Sequence, residues 1–190
     1  MTASSALNPR APLVLDTREL GRRPGAMRQV RRSVDAPAGW ELELVRVTAG
    51  SAVQLDLRLE SVMEGVLVSG TVTVTVSAEC GRCLDPIEDR LAVDVQELFA
   101  YAPADPDDEQ PLLVGDFLDI EPIVRDAVVL GLPLNPVCAD DCPGLCSTCG
   151  TRLADVDADH AHEDLDPRFA VLAQRFGGTD PNPDPKMTES

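Results

Sequence analysis

The sequence predicts an α+β fold: an antiparallel β-sheet or a small partly closed barrel covered by a helix, then a C-terminal cysteine-rich segment and a short helix. Three observations predict it. Four stretches place apolar residues at every second position, the period of a half-buried strand. One later stretch has the period of an amphipathic helix. Four of the six cysteines fall between Cys138 and Cys149, directly after that helix.

The elements follow in chain order. Residues 1–37 are rich in Pro, Gly and Arg and read as a basic, partly flexible arm, with PLVLD able to add an edge strand. From Trp40 the alternation begins: ELELVRV and VQLDLRLE are strand candidates. GVLVSGTVTVTVSAE is longer and β-branched, with Gly70 marking a bulge or a close backbone approach. DRLAVDVQELFAY, after Pro86, is the fourth. The acidic stretch APADPDDEQP is a loop. DFLDIEPIVRDAVVLGLPLNP then reads as a helix, with Ile120, Ile123, Val124, Ala127, Val128 and Leu130 on its apolar face. Asp116 or Asp119 can cap it, and Gly131 and Pro133 stop it. The core domain spans 38–134, and residues 135–176 form the Cys/His segment and a last helix, DPRFAVLAQRF, with Asp166 and Pro167 at its start. The tail, 177–190, has almost no apolar content and reads as disordered.

Composition narrows the function classes. The net charge is −17 over 190 residues, which argues against a large phosphate footprint. The charge is uneven. Residues 1–32 carry seven arginines against Asp16 and Glu19, leaving nine basic and 31 acidic residues in the rest of the chain. That body should attract basic partners. Arg22, Arg23, Arg28, Arg31 and Arg32 are the candidate RNA contacts, with a merely solvated arm as the plainer reading. No apolar run is long enough for a signal peptide or a membrane span, so the chain is expected to be cytoplasmic. Thiols stay reduced there, which points to metal ligation or redox chemistry before disulfides.

The ligand candidates are Cys80 and Cys83 in CGRC, then Cys138, Cys142, Cys146 and Cys149, then His160 and His162, the only two histidines. Six thiols and two imidazoles suffice for two tetrahedral zinc sites. Gly144 and Gly150 supply the tight turns of zinc knuckles. The favoured division joins Cys80, Cys83, Cys138 and Cys142 on one ion, and Cys146, Cys149, His160 and His162 on another. The rival places the four later cysteines on one ion, leaving CGRC with the histidines or empty, and the histidines can also be read as an unliganded surface pair. Thiol–disulfide exchange is disfavoured, because CGRC follows a strand and precedes a turn instead of opening a helix in a βαβ unit. No residue is left over to use a metal-bound water, so zinc would be structural. Trp40 reads as core packing, and Arg82 as an ion pair with the acidic body.

With these residues in place, the chain resembles the YceD family, the large ribosomal RNA subunit accumulation proteins. The resemblance rests on ECGRCLDP, an ELF segment, DIEP, LPLNPVC and DCPGLCSTCGTRL followed by DPRFAVL, across roughly residues 12–176. The last of these is similar to the zinc-knuckle-bearing branch. Relatives carry Cys-x-Cys where this chain has His160-Ala161-His162, which implies imidazoles standing in for thiols. The resemblance implies a non-enzymatic role in large-subunit biogenesis, supporting rRNA accumulation. A small basic zinc-bearing ribosomal protein, a frequent genomic companion of the family, is the implied partner. The acidic body fits binding of such a basic ribosomal protein or assembly factor, with rRNA contact indirect. Direct RNA binding and, less favoured, a thiol-redox enzyme are the alternatives.

Overall fold

The computed structural model describes residues 7–103, 110–157, 159–162 and Arg175. The elements are β1 (Val14–Asp16), β2 (Met27–Asp35), β3 (Val45–Val47), β4 (Ala52–Ser61), β5 (Gly65–Glu79), β6 (Pro86–Ala100), β7 (Phe117–Asp119) and α1 (Glu121–Gly131). The expected acidic loop falls largely outside the described residues. So do the expected helix from Asp166, save Arg175, and the tail 177–190. The chain divides into two compact units after Gly144, with Cys138 and Cys142 in the first.

β5 organises that unit. One of its edges pairs with β6 along its whole length, from Gly65↔Ala100 to Glu79↔Pro86. Its other edge pairs first with β4 over Val66–Thr73 and then with β3 over Val76–Ala78. β2 continues the sheet beyond β4. All these pairings are antiparallel, and β2 and β6 remain at separate edges. Among the described residues the sheet is therefore open, with no closed barrel. β1 and β7 make a separate two-stranded ladder.

The alternation of the sequence becomes the core. Val53, Leu55, Leu57 and Leu59 of β4 and Val66, Val68, Val72, Val74 and Val76 of β5 are buried, at about 1.5–3 kcal/mol per side chain. Trp40 is fully buried in the same core, as expected. Gly70, at φ +148°, marks a close approach instead of a bulge. A Cβ there would lie 2.2 Å from the Asp56 carbonyl oxygen, while the ladder continues through Leu57↔Gly70↔Val95.

Several expectations are corrected. The arginine-rich head contributes a nine-residue strand, β2, whose pairing with β4 supplies the order that its polar composition lacks. ELELVRV is mostly a tight hairpin, with Leu42 N–H donating to Val45 O and only Val45–Val47 in strand. The helix begins at Glu121, because Phe117–Asp119 pairs with β1. The Asp119 carboxylate accepts the Glu121 N–H at 3.0 Å, as an entry cap. α1 packs on β6 and buries Val124 and Val128. Leu130 is 86% exposed, and Leu132 takes the buried place instead.

Candidate metal centres

The first centre is assembled by two chain turns. β5 ends at Glu79, and Cys80 to Asp85 form the turn into β6, closed by Cys80 N–H to Asp85 O and Leu84 N–H to Cys80 O. Leu84 takes φ +62°, the one non-glycine among the described residues in the left-handed region, and stands 58% exposed. The segment after α1 then returns to this turn. Gly81 N–H donates to Pro136 O at 2.8 Å, and the Asn135 side chain occupies the space beside the Gly81 Cα.

The result brings Cys80, Cys83, Cys138 and Cys142 together, with their sulfurs all within 4.8 Å of one another. Cys80 Sγ lies 3.9 Å from Cys142 Sγ, and Cys83 Sγ lies 3.6 Å from Cys138 Sγ. Four sulfurs placed tetrahedrally about zinc at ~2.3 Å stand about 3.8 Å apart, so these side chains fit the ion. Cys80, Cys83 and Cys142 are buried and Cys138 is exposed. Backbone N–H groups of Cys83, Cys138 and Arg82 aim at the Cys80 sulfur and hold its thiol down at about 6. Cys83 has the Asp85 amide lowering it, yet burial and the neighbouring thiols outweigh that and push it up to about 12. Cys142 beside it raises Cys138. A lowered Cys80 beside raised Cys83 and Cys138 is what crowded sulfurs do until a cation neutralises them.

Arg82 differs from expectation. Its Nη1 donates to the Asp140 carbonyl at 2.9 Å and to the Cys142 carbonyl at 3.1 Å. It ties the two halves of the centre together through backbone, not through a carboxylate. Gly144, at φ +80°, passes close beneath it, with a Cβ position 3.1 Å from Arg82 O.

The second centre is built within residues 145–162. Cys146 N–H donates to Thr151 O, Gly150 N–H donates to Cys146 O, and Leu145 bridges Arg152, giving a small knuckle hairpin. Gly150 sits at φ +71°, where a side chain would be strained. Cys146, Cys149, His160 and His162 converge within 4.8 Å. His160 Nε2 is 3.5 Å from Cys149 Sγ and 3.0 Å from His162 Nε2. Tetrahedral zinc asks for about 3.6 Å and about 3.3 Å, respectively. The Thr151 hydroxyl, 3.2 Å away, and the Thr151 N–H hold the Cys149 thiol down at about 6. Cys149 in turn raises His162. Both clusters thus have ligand sets suited to metal, and they group the eight residues as the favoured division does.

The arginines of the head are largely engaged. Arg32 Nη2 donates to Pro12 O and Val14 O, and Arg28 Nη1 donates to Asp16 O, so both hold β1 against β2. Arg28 also pairs with Glu19 and Arg31 with Asp56. Arg22 lies 4.7 Å over the Tyr101 ring. These carbonyl and carboxylate partners could not be read from the sequence, because β1 and β2 are joined only by tertiary contacts.

No described helix is long and apolar enough to cross a membrane. No solved structure matches the chain. Uncharacterized proteins of Mycobacterium tuberculosis and Mycobacterium bovis are each 46% identical to it over 172 residues, covering 88% of this chain and 83% of theirs. One from Mycobacterium leprae is 42% identical over 167 residues, covering 85% of this chain and 76% of its own. Residues 68–174, which hold both centres, match the family described as large ribosomal RNA subunit accumulation protein YceD. The chain belongs to the YceD family.

Proposed function

We propose that this chain is a non-catalytic, cytoplasmic factor in large ribosomal subunit biogenesis that binds a basic ribosomal protein or assembly factor, with both centres holding structural zinc. Family membership over residues 68–174 carries the biogenesis role. The partner reading is supported by charge: outside residues 1–32 the chain has 31 acidic residues against nine basic, a field that recruits cations and repels phosphate. The zinc reading is supported by the tetrahedral spacing of both ligand sets. When bound, zinc supplies cross-linking. Arg82 and the N–H groups around Cys80 keep the turn in register for it.

Affinity capture from cells at two salt concentrations, with metal analysis of the purified chain, tests this. Basic large-subunit proteins should dominate at low salt and thin as salt rises, with two zinc ions per chain. A metal-free chain or a partner list without basic ribosomal proteins would refute it.

Direct RNA contact is the second reading. One observation favours it: Arg18, Arg28, Arg31 and Arg32 line a cleft of about 510 Å³. Against it, their donors already have protein partners. Truncating residues 1–32 would remove most of β2, so substituting Arg22, Arg23 and Arg31 by Gln is the better test. Loss of salt-dependent RNA binding in that variant would favour this reading over the first.

A further inference from the structure

An acidic body alone does not say where a basic partner sits. At the end of the sheet where β3, β5 and β6 meet, a groove of about 680 Å³ opens. Glu41, Glu43, Glu79 and Glu88 line it, all exposed. Between them lie the half-buried apolar side chains of Leu42, Leu44 and Ile87. The backbone holds these residues in place: Ala78 pairs with both Val45 and Ile87, and Glu79 N–H donates to Leu44 O at 3.1 Å.

Acidic side chains elsewhere in the unit are in part neutralised. Asp16, Glu19, Asp56 and Glu60 each have an arginine partner. None of the four groove glutamates makes a side-chain hydrogen bond or ion pair among the described residues. Arg46 is the one basic residue in the lining, leaving three net negative charges. A concave site with a net excess of one sign of charge over low-dielectric side chains focuses its field outward. The apolar side chains between the carboxylates add contact area that a lone cation could not use.

We infer that this groove is the docking site for an extended, Arg- or Lys-rich segment of a protein partner, its basic side chains meeting the four glutamates and its interleaved apolar side chains covering Leu42, Leu44 and Ile87. The inference rests on the proposed function for the class of partner, and it adds the place. Charge sign excludes a phosphate backbone from the same groove. Because Glu79 directly precedes Cys80 and pairs with Pro86, one wall of the groove is continuous with the first metal turn.

The test uses the full chain and a fluorescein-labelled peptide with the repeat Arg-Leu-Arg-Ser. Binding should be saturable, and the E41Q/E43Q/E88Q variant should weaken it about tenfold or more, as three lost charge contacts would. A control of equal charge loss, E64Q/E97Q/E121Q, should stay within about twofold of wild type. Arg46→Glu should tighten binding about threefold, a gain that misfolding cannot produce. Equal binding by wild type and the groove variant would overturn the assignment. Purified basic large-subunit proteins are then run against the same pair. If they bind both alike, the groove falls while the proposed function stands. If none binds although the peptide still maps to the groove, the proposed function falls while the groove stands as a site for cationic segments.

Discussion

Replacing Cys142 by serine opens the first centre and distinguishes the two ways of dividing eight ligands. The centre links the β5–β6 turn to the segment after α1, with Cys83 and Cys138 separated by 55 residues. Treated as a cross-link over that separation, it raises the free energy of the unfolded chain by about 4 kcal/mol. At ~2–4 °C per kcal/mol for a chain of this size, the melting temperature should fall by roughly 8–16 °C. The assay pairs zinc content by mass spectrometry with iodoacetamide labelling of each cysteine under native conditions. Wild type should hold two zinc ions and resist labelling. Cys142→Ser should hold one, with Cys80, Cys83 and Cys138 labelled but Cys146 and Cys149 protected. Had Cys138, Cys142, Cys146 and Cys149 shared one ion, the same substitution would expose Cys146 and Cys149 and spare Cys80 and Cys83. That labelling pattern, or a folded wild type with no zinc and six reactive thiols, refutes the reasoning.

Other outcomes follow from the same geometry. Cys149→Ser should remove one zinc ion and label Cys146, at a local cost of about 3 kcal/mol for the 11-residue separation of Cys149 and His160; metal content and labelling measure it. Gly70→Ala would set a Cβ 2.2 Å from the Asp56 oxygen at φ +148°, so urea unfolding should show a loss of roughly 2–4 kcal/mol. Arg32→Ala removes donors to Pro12 O and Val14 O and should cost about 1–3 kcal/mol in the same assay. The Arg18 side chain, hydrogen-bonded to Asp16, lowers that carboxyl from 3.8 to about 2. A depressed folded-state value means its stabilisation is present above pH 3.8 and is lost as pH falls through about 2. Asp16→Asn should remove that acid-dependent component, which solvent screening holds below about 1 kcal/mol.

The parts of the fold carried by period were legible. β4 and β5 alternate cleanly because one face meets the core, and Gly70 stood out because a strand interior rarely tolerates glycine. β2 was not legible, since Val30 and Val34 are the apolar residues it packs against the core and the arginines around them resemble a solvated arm. β1 and β7 are three residues each, too short for any period, and each exists through its partner. Phe117–Asp119 continues smoothly into the helical pattern, so the strand there was hidden inside it. All eight metal-ligand candidates could be named from residue type and spacing, but spacing permitted two divisions. The choice was made by the return of Pro136 to Gly81, a contact across the whole β6–α1 stretch. The groove glutamates went unnoticed because they come from three separate strands or turns, with no local motif.

The wide spacing of the first centre also shapes how the chain is born. At about 5–20 residues per second of synthesis, the 55 residues between Cys83 and Cys138 take roughly 3–11 s to emerge. Throughout that interval the sheet can zip along β4, β5 and β6, each adjacent to the next, while the thiols at its tip wait without their mates. Zinc capture at this centre would therefore be a late checkpoint on translation, open only to a polypeptide whose ribosome has travelled beyond Cys142.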